Sequence, residues 1–152
     1  MTVLRKIISG AQTGADMGGL RAAKKLGLET GGWMPKDFKT EAGNKPEYAK
    51  LYGVESTMLA NYKIRTELNV NDSDGTILFG KMYSAGSKLT KFLAHKHDKP
   101  TMIVTSKTST NEVFEWARDN NIAVLNVAGN RESVSPGIED RVEEFLIEAF
   151  GL

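Results

Sequence analysis

Short apolar runs alternate with stretches of helical periodicity along this chain, and no other feature restricts its fold as much. Ile7-Ile8 reads as a first strand and Met17 to Leu26 as the helix after it. Gly27 breaks that helix, and Leu28 to Trp33 reads as a second strand running through Gly31-Gly32. Pro35 to Gly53 is polar and punctuated by Gly43, Asn44 and Pro46, so it reads as an irregular functional loop or lid. Met58, Leu59, Tyr62, Ile64, Leu68 and Val70 fall in a helix that ends in the turn cluster Asn71-Asp72-Ser73-Asp74-Gly75. Thr76-Ile77-Leu78-Phe79 is a third strand, of the kind buried on both faces. Leu89, Phe92 and Leu93 lie in the next helix, Thr101 to Thr105 is a fourth strand, and Thr110 caps a helix through Asn120. Ile122 to Val127 is a fifth strand, and Ile138 to Phe150 is an amphipathic helix with Val142, Phe145, Leu146 and Phe150 inward.

Strands alternating with helices through right-handed crossovers give an α/β, Rossmann-like, doubly wound three-layer sandwich. The expectation is five parallel strands in one domain over residues 1–152. The first and third strands both end in loops of ligand-binding type. If both loops serve one site, those strands are neighbours and the order is 2-1-3-4-5.

The 152 residues suffice for a full hydrophobic core. The net charge of +1, with lysines spread along the chain, argues against nucleic acid as a partner. No cysteine is present, which excludes disulfides, thiolate nucleophiles and zinc–thiolate sites. No segment reaches membrane-spanning length, and a cytoplasmic location with no membrane partner is expected.

Three constellations carry chemistry. In the first loop, Gly10, Ala11, Gln12, Thr13, Gly14 and Asp16 join strand to helix, where N–H groups and the helix dipole favour an anion. The bland alternative is an ordinary connection, since neither dinucleotide nor P-loop spacing is matched. After the third strand, Gly80, then Gly86, Ser87, Lys88 and Thr90, describe a second phosphate-binding loop, or simply a serine-capped surface helix. Arg65, Thr66 and Asn69 share one helix face, where Arg65 suits a phosphate or carboxylate. Asp72 or Asp74 could accept from a ribose or pterin-like edge, although an Asx turn into the strand explains each aspartate singly. Trp33 offers a stacking surface for a heterocycle, or closes the core at a strand end. His95 and His97 diverge around a helix and do not make a metal pair.

The blocks Ile8-Ser9-Gly10-Ala11-Gln12-Thr13-Gly14-Ala15-Asp16, Gly31-Gly32-Trp33-Met34-Pro35-Lys36 and Arg65 to Thr76 together resemble the molybdenum cofactor carrier family, within the SLOG group of Rossmann-like nucleotide-binding proteins. The resemblance runs from the first strand through the helix after Thr90, and it adds Lys36 to the candidate ligand-binding residues. It implies a carrier of molybdenum cofactor or another nucleotide-like, phosphorylated small molecule. It also implies a homo-oligomer, dimer or tetramer. In the related phosphoribohydrolases a catalytic glutamate stands where this chain has Thr90. N-glycosidic cleavage needs a carboxylate, so that departure argues against the chemistry. The expected function is therefore noncatalytic binding, with no metal ligands of the protein's own. One alternative is a sensor or sequestering protein for ADP-ribose-derived signals. Another is a phosphoribohydrolase with its carboxylate moved to Glu41, Glu67 or Asp74.

Overall fold

The computed structural model describes residues 2–151. The elements are, in chain order, β1 (Lys6–Ile8), α1 (Ala15–Leu26), β2 (Glu29–Met34), a 3-10 turn (Lys36–Phe38), β3 (Lys39–Thr40), β4 (Gly43–Asn44), α2 (Tyr48–Tyr52) and β5 (Val54–Ser56). They continue with α3 (Tyr62–Asp72), β6 (Gly75–Phe79), α4 (Ala85–Lys96), β7 (Thr101–Val104), α5 (Thr110–Asp119), β8 (Val124–Gly129) and α6 (Ile138–Phe150). The central sheet has six strands in the order β5-β2-β1-β8-β6-β7, and every pairing in it is parallel. Helices α1, α5 and α6 pack together on one face, and α3 and α4 on the other. This is the Rossmann-like three-layer sandwich expected.

The strand count and order differ from expectation. The sixth strand, β5, has three residues of which only Val54 is buried, so it carries too little apolar signal to read as a strand. It pairs along β2 at the sheet edge, from Gly32–Val54 to Met34–Ser56. Numbered as the five expected strands, the core order is 2-1-5-3-4, with β8 between β1 and β6. Periodicity reports burial but not neighbours. What seats β8 centrally is a pair of close approaches: Gly19 of α1 lies where a Cβ would come within 2.7 Å of Val127, and Asn126 donates to Thr76 Oγ1 across a buried 3.2 Å. The main core, built from Ile7, Ile77, Leu125, Val127, Val142 and Leu146 among others, fills the α1–α5–α6 side.

Local boundaries shift for identifiable reasons. Helix α3 starts at Tyr62, where Asn61 Oδ1 accepts from the Lys63 N–H at 2.7 Å. Met58 and Leu59 therefore lie outside it, exposed. Ser109 rather than Thr110 caps α5, accepting from Glu112 N–H at 3.1 Å. The Pro35–Gly53 stretch holds the 3-10 turn, the β3–β4 hairpin and α2. No helix among the described residues is long and apolar enough to cross a membrane.

Candidate functional site

At the carboxyl ends of β1, β8 and β6 a cleft opens, lined by Gly10, Gln12, Asp16, Arg65, Thr66, Asn69, Gly86 and Thr90, and by the stretch from Asn126 to Gly129 with Arg131. The two loops singled out in the sequence thus face one space across β8. Its volume is about 60 Å³, and it is open to solvent. A water molecule's share of liquid is ~30 Å³, so the depth of the cleft suits one tetrahedral oxyanion and the remainder of a larger ligand would lie above it.

Arg65 dominates the floor. Gly10 has no side chain, and Arg65 Nη1 lies 1.3 Å from where its Cβ would be, so the guanidinium rests directly on the β1 backbone. From there Nη1 donates to Asp16 Oδ2 at 3.2 Å. Both side chains are largely buried, 13% exposed for Arg65 and 8% for Asp16. Burial pushes the Asp16 carboxyl up, against the opposing pull of Arg65, the Gln12 N–H and the more distant Arg131. Tyr62 stands between the two arginines, each guanidinium 5.2 Å from its ring centre.

The first loop is not the backbone cradle its sequence suggested. Each N–H from Ala11 to Ala15 already has an acceptor within the protein: Ser9 Oγ, Asp16 Oδ2, Gln12 Oε1, Glu139 Oε1 and the Asn130 carbonyl in turn. Side chains supply the free donors instead. Gln12 Oε1 accepts from Thr13 N–H at 3.0 Å and Glu41 N–H at 2.9 Å, which fixes the carboxamide and leaves its buried Nε2 without a partner. Arg65 Nε and Ser87 Oγ are likewise buried and unpartnered. A buried donor left unmade costs about 1–3 kcal/mol, so Gln12 and Arg65, which both line the cleft, favour an acceptor-rich guest. Ser84 caps α4 by accepting from Ser87 N–H at 3.2 Å, and Thr90 Oγ1 donates to the Gly86 carbonyl at 2.9 Å. The serine cap is therefore present, and Gly86 and Thr90 of the same segment line the cleft.

Other expected site residues lie elsewhere. Asp74 precedes β6 at the opposite end of the sheet, where Oδ2 accepts from Ala123 N–H at 3.0 Å and Val124 N–H at 2.8 Å. Trp33 faces away from the cleft; its Nε1 donates to Asp72 at 2.9 Å, and its backbone is gripped at both ends by the Asn69 carboxamide. Asn69 lines the cleft while both its polar atoms hold β2. Lys36 is exposed on the 3-10 turn and Lys88 on α4. Ala11, Thr13, Gly14, Gly80 and Ser87 shape the loops without lining the cleft. Thr13 Oγ1 bonds Glu41 of the hairpin and accepts from Glu132 N–H, while Gly80 packs on Asn130. Glu67 pairs with Lys96 and His97 on the α3–α4 surface, which hold its carboxyl below the usual range. The sequence reading missed Asn126, Arg131 and Asn130. The last of these ties β8 to the loop after β6 through Lys81 N–H and carbonyl. Their signal was the run Asn126-Val127-Ala128-Gly129-Asn130-Arg131, a strand followed by glycine and polar groups like the first loop.

The profile of the circularly permutated YpsA SLOG family matches residues 7–150. Among solved structures, the chain is similar to the crystal structure named "Putative molybdenum carrier protein" from Syntrophus aciditrophicus SB, at 37% identity and a TM-score of 0.88, over 98% of this chain and 96% of that one. No curated protein matches.

Proposed function

This chain belongs to the circularly permutated YpsA SLOG family, and on that premise we propose that it carries a phosphorylated heterocyclic small molecule, molybdenum cofactor or a nucleotide, without chemically altering it. The single observation that carries the reading is that two residues lining the cleft, Gln12 and Arg65, each hold a buried side-chain donor, Nε2 and Nε, without a partner. Donors without acceptors favour a group that only accepts, and the ester phosphate of such a ligand is one. Arg131 and the Tyr62 ring stand beside it, a cation and an aromatic surface for the part of the ligand that lies above. The name of the solved structure, a molybdenum carrier protein, supports a molybdenum-containing cargo, and the unpartnered donors of Gln12 and Arg65 support a phosphate on it.

Binding without turnover fits the position of the carboxylates. Thr90 stands where the related hydrolases carry glutamate, while Glu67 and Asp74 lie outside the cleft and Glu41 is engaged by Thr13 and Ser133. Asp16 does line the cleft, but its carboxylate is tied to Arg65 and Gln12 N–H. Native mass spectrometry of the purified protein is expected to find a phosphorylated molecule that heat releases intact. Arg65→Ala is expected to weaken binding of adenosine monophosphate at least tenfold, the value of one charge-assisted hydrogen bond. Release of free base from that nucleotide would replace the carrier with an enzyme.

A further inference from the structure

An oxyanion site gains from donors and positive charge and loses from a carboxylate, yet Asp16 sits in the wall of this one, 6% exposed. Its Oδ2 is shared by Gln12 N–H and Arg65 Nη1, each at 3.2 Å. The groups facing it come from every element around the cleft. Arg65 of α3 is the near cation and Arg131, after β8, the distant one. Thr66 and Asn69 of α3, Gly86 and Thr90 of α4, and Asn126 of β8 carry no charge. Arg65 must therefore serve two negative groups at once when an anion arrives. Even with Nη1 kept on the carboxylate and the free Nε turned to the anion, the carboxylate stays in a dry wall with a second negative charge against it. Protonation removes both penalties: the carboxyl becomes neutral, and its O–H adds a donor directed at the anion.

We propose that an oxyanion enters this cleft together with one proton, held by the Asp16 carboxyl. The inference rests on the reading of the cleft as an oxyanion site, and adds that its affinity is set by pH. The step is a proton binding from solvent to a carboxylate oxygen; no other bond forms or breaks. Burial, which pushes the same carboxyl up before any anion binds, lowers the cost of taking up that proton.

Sulfate is the appropriate probe, because it carries no proton of its own between pH 5 and 8 and any proton counted belongs to the protein. Calorimetric titration of sodium sulfate in buffers of differing ionisation enthalpy is expected to show uptake approaching one proton per sulfate. The affinity of the unmodified protein should fall by close to tenfold per pH unit above the free carboxyl's midpoint. In Asp16→Asn the uptake should vanish and the affinity become independent of pH. The unmodified protein binding sulfate without proton uptake at any pH from 5 to 8 overturns the inference by itself, whether or not the variant folds, and so does Asp16→Asn keeping the full uptake. Sulfate binding that Arg65→Ala abolishes but pH does not affect overturns this inference and leaves the cleft reading standing. Sulfate binding by neither the unmodified protein nor Asp16→Asn overturns both.

Discussion

Asp74 and Asp16 are two aspartates that a sequence presents alike and a fold uses in opposite ways. Asp74, exposed at the lower end of the sheet, accepts from two consecutive N–H groups at the start of β8. Asp74→Ala is expected to cost about 1–3 kcal/mol in urea denaturation, the value of backbone donors left unmade, with no change in sulfate or nucleotide affinity. An affinity change would bring Asp74 back to the site. Asp16 lies in the cleft because it sits in the first turn of α1, just beyond the end of β1. At the residue scale, the sequence revealed whatever depended on local spacing. Arg65 and Asn69 fall one helical turn apart and do share the cleft wall, and the glycine at position 10 does allow a close approach. It could not reveal that the approaching group is Arg65 instead of a ligand, because that contact spans 55 positions and depends on how α3 lies over β1.

At the scale of elements, the hairpin β3–β4 is fastened through Glu41, by its carboxylate and by its N–H to Gln12 Oε1. Glu41 bonds the Thr13 hydroxyl, the Ser133 hydroxyl and the Ser133 N–H, joining the hairpin to both loops that flank the cleft. Burial works against its charge but is outweighed by those hydrogen bonds and by Arg131, so the Glu41 carboxyl is held below its usual range. Because the folded value is lowered, this clasp contributes fully above the ordinary glutamate range and is lost as pH falls through the lowered value. Glu41→Ala is expected to speed amide hydrogen exchange in residues 39–44 and 131–135 at neutral pH, with global stability changed by less than about 1 kcal/mol. Unaltered exchange would mean that the hairpin is held by something else. The long helices were legible because their apolar faces repeat. The hairpin, α2 and β5 were not, since among them only Thr40 and Val54 are buried, too few to leave a pattern.

For the whole molecule, the three layers followed from alternation alone, whereas the order of strands did not. The expected 2-1-3-4-5 order assumed that loops sharing a site belong to adjacent strands. Here the loops after β1 and β6 reach over β8 to meet, and β8 contributes its own end to the cleft. The outer surface carries a further expectation. Met58 is 87% exposed and Leu59 55%, beside a shallow apolar groove formed with Trp33, Ile64 and Leu68. A contiguous apolar patch of this sort is the usual mark of association, and a homodimer or tetramer remains our expectation. Sedimentation equilibrium should show that oligomer, and Met58→Lys should shift it toward monomer; a monomer at all working concentrations would dismiss it.

The central seat of β8 also governs how the protein comes into being. On the ribosome, the first 120 or so residues can form only two separate sheet fragments, β5-β2-β1 and β6-β7, each with an unpaired edge that the same later strand must fill. The six-stranded sheet therefore cannot be completed until residues 124–129 are available, which places its closure late in the synthesis of the chain.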